Sequence, residues 1–432
     1  MEFYSTNNVD NRVGFSTAVR QGLAYDRGLF MPEEFPVLDQ AFLDTLKERS
    51  LPEIAFKILQ PFVGEDISAG RLQEICNDAF NFELPIVEIE PDLYSLELYH
   101  GPTLAFKDFG ARFMARVLGE LNSEGDSQNT ILVATSGDTG SAVASGFYKI
   151  PNTQVVILYP AGKVSTLQEK QMTTLGENII AIAVNGTFDD CQRLVKEAFL
   201  DRELSQRYGL TSANSINLAR LLPQMLYYFY AIGQLSDSGK PIVFSVPSGN
   251  YGNLTAGLIA NKMGLPIDHF LAASNSNKIV PDYLSSGKFN PRASVQTISN
   301  AMDVGDPSNF ARMNDLFKGE LASFLEKITG YSYNDVETRL AIKELKDNYS
   351  YIADPHGAIG YLALRKYMQT HDLTGVFLET AHPIKFREEV EPVINDKISL
   401  PESLKSVLDK NIISIPCGTS LREFKSILED IL

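Results

Sequence analysis

The chain has 432 residues, of which 44% are hydrophobic and 21% charged, and a formal net charge of -16. At roughly 150 residues per domain this is material for two or three domains with full cores. The acidic balance argues against nucleic acid or an anionic membrane as partner, because both select basic surfaces. No apolar run is long enough to span a membrane, and the opening MEFYSTNNVD has neither the basic start nor the apolar stretch of a signal peptide, so the cytoplasm is the expected compartment.

The first 88 residues carry helix-like acidic and apolar segments, LDQAFLDTLKERS and AGRLQEICNDAF, without a strand rhythm, and are expected to form a separate N-terminal domain. Gly28, Leu29, Phe30 and Pro32 mark a compact turn within it. The stretch YHGPTLAFKDFG, residues 99–110, then sets Lys107 among aromatic and apolar neighbours at the predicted start of a helix, with Phe113, Met114, Val117, Leu118 and Leu121 at core-facing spacing. A partly desolvated lysine falls below its ordinary pKa of about 10.4 and becomes a nucleophile and base near neutrality. A lysine with its tip in water is the plain alternative.

From about 130 to 275 short β-rich runs alternate with helix-period segments. The runs are ILVAT (131–135), QVVIL (154–158), IIAIAV (179–184), PIVFSV (241–246) and HFLAA (269–273). This predicts parallel α/β sheets with ligands beyond the carboxyl ends of the strands. Phe188, Cys191, Leu194, Val195, Ala198 and Phe199 share one helical face, and Pro223 predicts a helix start or kink.

Three loops follow strands. Thr135, Ser136, Gly137, Asp138 and Thr139 lead into a helix whose first N–H groups suit an anion such as a carboxylate. Ser248, Gly249, Asn250, Tyr251, Gly252 and Asn253 have the form of a phosphate cradle. This loop is not GxGxxG, and AGKVS around Lys163 is not a P-loop because Val164 stands where Ser or Thr is needed, which weakens nucleotide binding and a nicotinamide dehydrogenase. Asn214, Ser215 and Arg220 combine hydrogen-bond donors with a planar fork suited to phosphate. Residues 276–350 are polar and helix-rich, an insertion or lid, followed by YIADPHGAIGYLAL and the strand VFLET (376–380). The three cysteines are scattered, which excludes a disulfide framework and leaves buried or incidental thiols; the five histidines lack metal-binding spacing, so no metal is expected.

Taken together, HGPTLAFKDF, TSGDTGSA, PAGKVSTLQEKQM, SANSINLAR, VPSGNYGN and ETAHPIKF resemble the threonine synthases of many bacteria and yeasts, nearly end to end. The resemblance implies a fold type II enzyme dependent on pyridoxal 5'-phosphate and similar to the tryptophan synthase β chain. Two parallel-sheet α/β domains would flank the active site: residues 89–235 a smaller domain with the lysine and substrate loops, 236–432 a larger cofactor-binding domain. It implies that Lys107 forms the Schiff base, that 248–253 bind the cofactor phosphate and that Thr380 faces the pyridine nitrogen. The implied reaction turns O-phospho-L-homoserine and water into L-threonine and phosphate, with Lys107 moving protons among Cα, C4′ and Cβ. The substrate carboxylate is assigned to 135–139 and its phosphate to Asn214, Ser215 and Arg220, with Lys163 and Arg112 as charge support.

Related enzymes often carry an asparagine where this chain has Asp138, and an ionised carboxylate cannot donate to a phenolate, so its contact is left open. His356 and His382 are read as satisfied structural histidines. A monomer is expected, with a homodimer as alternative. A serine or threonine dehydratase or cysteine synthase needs no pocket for a γ-phosphate, and a silent binding protein needs no Schiff-base lysine.

Overall fold

Parallel strands buried on both faces need unbroken apolar side chains, and the runs that satisfy this become two central sheets. In the computed structural model residues 1–122 and 129–432 are described. The strands are β1 (Glu2–Ser5), β2 (Asn8–Gly14), β3 (Phe30–Pro32), β4 (Ile86–Glu90), β5 (Leu93–Glu97), β6 (Asn129–Ala134) and β7 (Thr153–Pro160). They continue with β8 (Ile179–Val184), β9 (Leu210–Ser212), β10 (Ile242–Pro247), β11 (His269–Ser274), β12 (Ile328–Ser332), β13 (Thr374–Glu379) and β14 (Ile415–Cys417). A five-stranded sheet has the order β14-β8-β7-β6-β9, and a six-stranded sheet the order β12-β11-β10-β13-β5-β4. All pairs in these two sheets are parallel except β4 with β5.

The sheets redraw the expected domain limits. A boundary at residue 89 falls inside β4, and both β4 and β5 belong to the six-stranded sheet, where β5 pairs with β13. The chain therefore starts the larger sheet, leaves it to build the smaller one, and returns. At its end β14 crosses back to pair with β8, and the C-terminal helix Leu421–Ile431 buries Phe424 and Leu428 against the same smaller core. The segment 276–350 is likewise more than an insertion, since β12 forms the edge of the larger sheet.

The N-terminal region does contain strands. β2, β1 and β3 form an antiparallel sheet, and Gly28 is required beside it because a Cβ there would lie 2.0 Å from Ser5 Oγ. The region shares its core with the rest: Phe3, Phe15, Leu59 and Phe62 belong to one apolar cluster with Phe109, Phe113, Leu226 and Phe229. The helix Lys107–Leu121 buries Phe113, Met114, Val117 and Leu118 as its spacing requires, and Pro223 sits in a short tight turn between the helices Leu218–Leu221 and Leu226–Leu235. The three cysteines are buried free thiols. No helix among the described residues is long and apolar enough to cross a membrane.

Candidate active site

Five segments that follow the carboxyl ends of β5, β6, β9, β10 and β13 meet in one cleft. It is lined by Lys107, Asp138, Ser215, Arg220, Ser248–Asn253 and Thr380. Strands of both sheets contribute because their parallel alignment brings successive carboxyl ends to one side.

Lys107 is the first residue of its helix, and the turn before it is tightly specified. Both Asp108 carboxylate oxygens accept from Thr103, from its N–H and its hydroxyl, each at 2.8 Å, and a Cβ on Gly101 would lie 2.5 Å from that carboxylate. Burial pushes the Asp108 carboxyl up to about 6. Phe106 N–H donates to the Thr380 carbonyl at 2.8 Å, joining the lysine turn to the end of β13. The Lys107 amine lies 4.3 Å from the centre of the Phe106 ring. Desolvation, and then the charge of Arg220, push it down to about 8 against the opposing charge of Asp138.

Arg220 is 3% exposed, and its burial lowers the guanidinium to about 10. One terminal nitrogen donates to the Ala213 carbonyl at 2.5 Å, whereas Nε is buried without a partner. Gly110 makes this packing possible, because a Cβ there would approach Arg220 Nε to 2.8 Å. A buried cation with an uncommitted donor is costly unless an anion completes it.

The loop after β10 is braced on every side. Ser248 donates to Asn253 Oδ1 at 2.7 Å, Asn253 donates to the Pro247 carbonyl at 2.9 Å, and Asn250 donates to Ser215 Oγ at 2.5 Å. Tyr251 adopts a left-handed φ of 59° just before the helix Gly252–Lys262, and its hydroxyl meets Ser274 Oγ at 2.5 Å. Gly249 cannot carry a side chain, since its Cβ would lie 2.7 Å from the Met302 backbone. First-turn N–H groups of this helix have no partners within it, so the loop presents donors and a positive helix end to the cleft. Together with an amine of lowered pKa, this donor set fits pyridoxal phosphate.

Asp138 forms a buried ion pair with Lys385 at 2.7 Å and accepts from Gln168 Nε2 at 3.0 Å. Burial alone would raise its carboxyl, but Lys385 and the Gln168 amide outweigh it and hold the group below the ordinary range. Gly137 is the residue before the helix Asp138–Phe147, with φ of 139°, and a Cβ there would lie 2.4 Å from the Gln168 side chain.

Three protein-family models match the chain. The model for pyridoxal-phosphate dependent enzymes covers residues 84–375, that for the threonine synthase N terminus 2–80, and that for the threonine synthase C-terminal region 357–425. The threonine synthase of Haemophilus influenzae is 48% identical over 405 residues, covering 94% of each chain.

The chain belongs to the threonine synthase family.

The crystal structure of threonine synthase from Escherichia coli superposes with a TM-score of 0.94 at 43% identity, covering 100% of both chains. That of pyridoxal-phosphate-bound threonine synthase from Brucella melitensis gives 0.92 at 33% identity, covering 100% of this chain and 99% of its own. Fold type II architecture and a pyridoxal phosphate cofactor follow from membership of the family.

Within this threonine synthase fold several expected site residues stand elsewhere. Arg112 does not line the cleft: it is five positions beyond Lys107, about 140° round the helix, and its guanidinium donates to the Ala79 carbonyl at 2.8 Å and Asn81 Oδ1 at 2.8 Å. It anchors the N-terminal region. Thr135 spends its hydroxyl on the N–H groups of Gly137 and Gly140, at 2.9 and 2.8 Å, and Asn214 spends its amide on the Ala134 carbonyl at 3.0 Å. Ser136 and Lys163 line a wider neighbouring cleft with Ser165, Thr187, Asn300 and Lys385; Thr139 lines neither cleft.

Other site residues carry no motif that sequence reasoning used. Gln224, Ala301, Met302 and His356 line the cleft, so His356 is more than a satisfied core histidine. Arg312 is fully buried behind it, donating to the carbonyls of Phe30 at 3.1 Å, Ser215 at 3.2 Å and Ile216 at 2.6 Å and to Asn309 Oδ1 at 2.7 Å. It thereby fixes the Ser215 loop against the N-terminal sheet.

Proposed function

We propose that this cleft converts O-phospho-L-homoserine and water to L-threonine and phosphate, with Lys107 as the group that carries the cofactor and moves the protons. The observation that supports it most is the shared cleft of the Lys107 amine, the open side of Arg220 and the braced loop 248–253 at a helix N-terminus. When bound, pyridoxal phosphate supplies the electron sink for charge left at Cα. Loop 248–253 would hold its phosphate, and Thr380, lining the same cleft, would serve its ring nitrogen. Lys107, released when the substrate amine takes its place, would serve as acid and base: it would take the Cα and Cβ protons as phosphate leaves Cγ and return protons to Cγ and Cα, while water gives its hydroxyl to Cβ and its proton to the departing phosphate. The Asp138 backbone N–H, in the first turn of its helix and without a helical partner, receives the substrate carboxylate, with Ser136 at the neighbouring cleft. Ser215 and Arg220 receive the leaving phosphate. The working unit in this reading is a cytoplasmic monomer, with a homodimer as the alternative; sedimentation distinguishes them.

The deciding experiment incubates the purified protein with O-phospho-L-homoserine and measures threonine and phosphate together. Equal release of both is expected, and release of ammonia with a keto acid instead would point to a dehydratase. Replacing Arg220 tests the phosphate assignment. Loss of a charge-assisted hydrogen bond corresponds to roughly 10–100-fold, so Arg220→Ala is expected to lower kcat/KM by about that factor and leave cofactor affinity nearly unchanged. Arg220→Lys restores little, because a point charge does not reproduce the fork.

The pH dependence of cofactor uptake tests the state of Lys107. Its neutral amine is the nucleophile, and with a pKa of about 8 the reactive fraction grows as pH rises and saturates above that value. Stopped-flow absorbance should show the rate constant for uptake by cofactor-free protein rising about tenfold per pH unit well below the pKa and levelling off beyond it. A rise continuing towards pH 10 would place the amine in ordinary solvent.

A further inference from the structure

His356 combines three features that a packed core histidine does not. It is 2% exposed, it lines the same cleft as Lys107, Asp138 and Thr380, and its Nε2 is buried with no partner while Nδ1 is bound to Asp354. Asp354 is itself fixed at the start of the helix Pro355–Met368: Oδ1 accepts the His356 N–H at 2.6 Å and Oδ2 accepts the Ala381 N–H at 2.9 Å. Nδ1 is thus committed to Asp354, which leaves Nε2 as the ring's free nitrogen. Phe386 presents an edge contact, with ring centres 4.9 Å apart, that closes the other side of the imidazole.

The ring faces anionic groups from three places: Asp354 on its own cap, Asp138 at the start of the helix after β6, and Asp303 from the segment between β11 and β12. Burial alone would discharge the imidazole, but these carboxylates outweigh it and raise its pKa. The charged ring has a second donor, Nε2–H, which no protein group accepts, in a residue that lines the cleft.

Asp138 cannot offer that donor. Its carboxylate is ionised and already engaged by Lys385 and Gln168. Lys385 in turn is shared between Asp138 and the Thr103 carbonyl, 2.9 Å away.

We propose that His356, held by Asp354, donates through Nε2–H to the phenolic oxygen of bound pyridoxal phosphate, the hydrogen bond that Asp138 cannot make. This rests on the cleft being the cofactor site. The contact stabilises the anionic form of that oxygen, and the aspartate on Nδ1 orients the imidazole and holds its charge.

The test compares full-length wild type with His356→Leu, His356→Gln and Asp354→Asn, each loaded with pyridoxal phosphate, by cofactor titration, visible absorption against pH and substrate kinetics. Nitrogen NMR of histidine-labelled wild type follows the ring directly. His356→Leu is expected to bind the cofactor about 10–100-fold more weakly and to shift the pH dependence of the visible band. The neutral donor in His356→Gln should recover part of both, and Asp354→Asn should move the band in the same direction as His356→Leu. Substrate KM should change little. In wild type both ring nitrogens should be protonated, and Nε2 should move on cofactor addition. A wild type that does not take up cofactor would overturn the site assignment itself. Wild type that binds it, with His356→Leu matching its affinity and band, would overturn only the role of His356, as would a rise in KM with unaltered cofactor binding, which indicates a substrate contact. Should the variants fail to fold, the wild-type NMR decides: a doubly protonated ring that responds to cofactor supports the assignment, and an Nε2 that is unprotonated or unresponsive refutes it.

Discussion

Lys107→Ala is expected to lose at least about 10⁴ in turnover and all of the yellow colour that borohydride would fix to the wild-type peptide. Positioned general acid–base groups contribute roughly 10²–10⁴ each, and the proposed mechanism asks one amine for several proton transfers as well as the covalent attachment. The Phe106 ring and the Arg220 guanidinium keep it partly desolvated and electrostatically disfavoured as a cation. Its removal should therefore leave the melting temperature of the cofactor-free protein unchanged or slightly higher. That combination separates a chemical role from a structural one. Turnover within tenfold of wild type, or a reduced cofactor adduct on another peptide, would remove Lys107 from the mechanism.

The sequence made the central strands legible because parallel strands buried on both faces leave an uninterrupted apolar run. β6, β7, β8, β10, β11 and β13 each overlap a run read from the chain. The N-terminal hairpin lacks that mark: NVDNRVG is a largely exposed edge strand, so its polarity resembles a loop. Nor can local pattern assign a strand to a sheet. β5 and β14 enter sheets built mainly by distant parts of the chain, so the sheets do not follow linear limits.

The same distinction governs the site. Lys107, Asp138, Ser215, Arg220, the loop 248–253 and Thr380 could be found because each lies in or just beyond a loop after a strand, where glycines and small polar residues mark the turn. His356, Lys385 and Gln168 reach the site region from helices or short turns, and only tertiary packing reveals their direction. DPHGA holds a usable signal, an aspartate capping a helix two residues before a histidine, yet the unpartnered Nε2 has no sequence counterpart. Arg112 illustrates the converse error. A cation close in sequence to the key lysine was assigned to the site, whereas helical phase turns it to the N-terminal region.

Lys385→Met is expected to destabilise the protein by about 3–5 kcal/mol near neutral pH, the usual effect of stripping one partner from a buried ion pair. Lys385 is 0% and Asp138 4% exposed, so the bereft carboxylate has little water to turn to. The sign of the pH dependence follows. In wild type the Asp138 carboxyl lies below its unfolded value, so its stabilising contribution is present above the unfolded pKa of about 3.9 and is lost as pH falls through the folded value. Without Lys385, burial dominates and raises the folded pKa above the unfolded one. The variant then binds an extra proton when folded, and its deficit relative to wild type, measured by urea unfolding, should widen as pH rises from about 4 to 7. Asp138→Asn leaves the Lys385 ammonium buried with the Thr103 carbonyl, and should also destabilise. Removing both charges together relieves each of its unpaired partner, so the double variant should be more stable than the sum of the single effects by about 2 kcal/mol, within the range for directly contacting residues. Additivity within about 0.5 kcal/mol, or a deficit independent of pH, would mean that the pair is not coupled and that another group balances Asp138. A double variant that folds well yet turns over slowly would assign the pair to chemistry: a neutral site tolerated by the fold but unable to reproduce the charges that face the reacting groups.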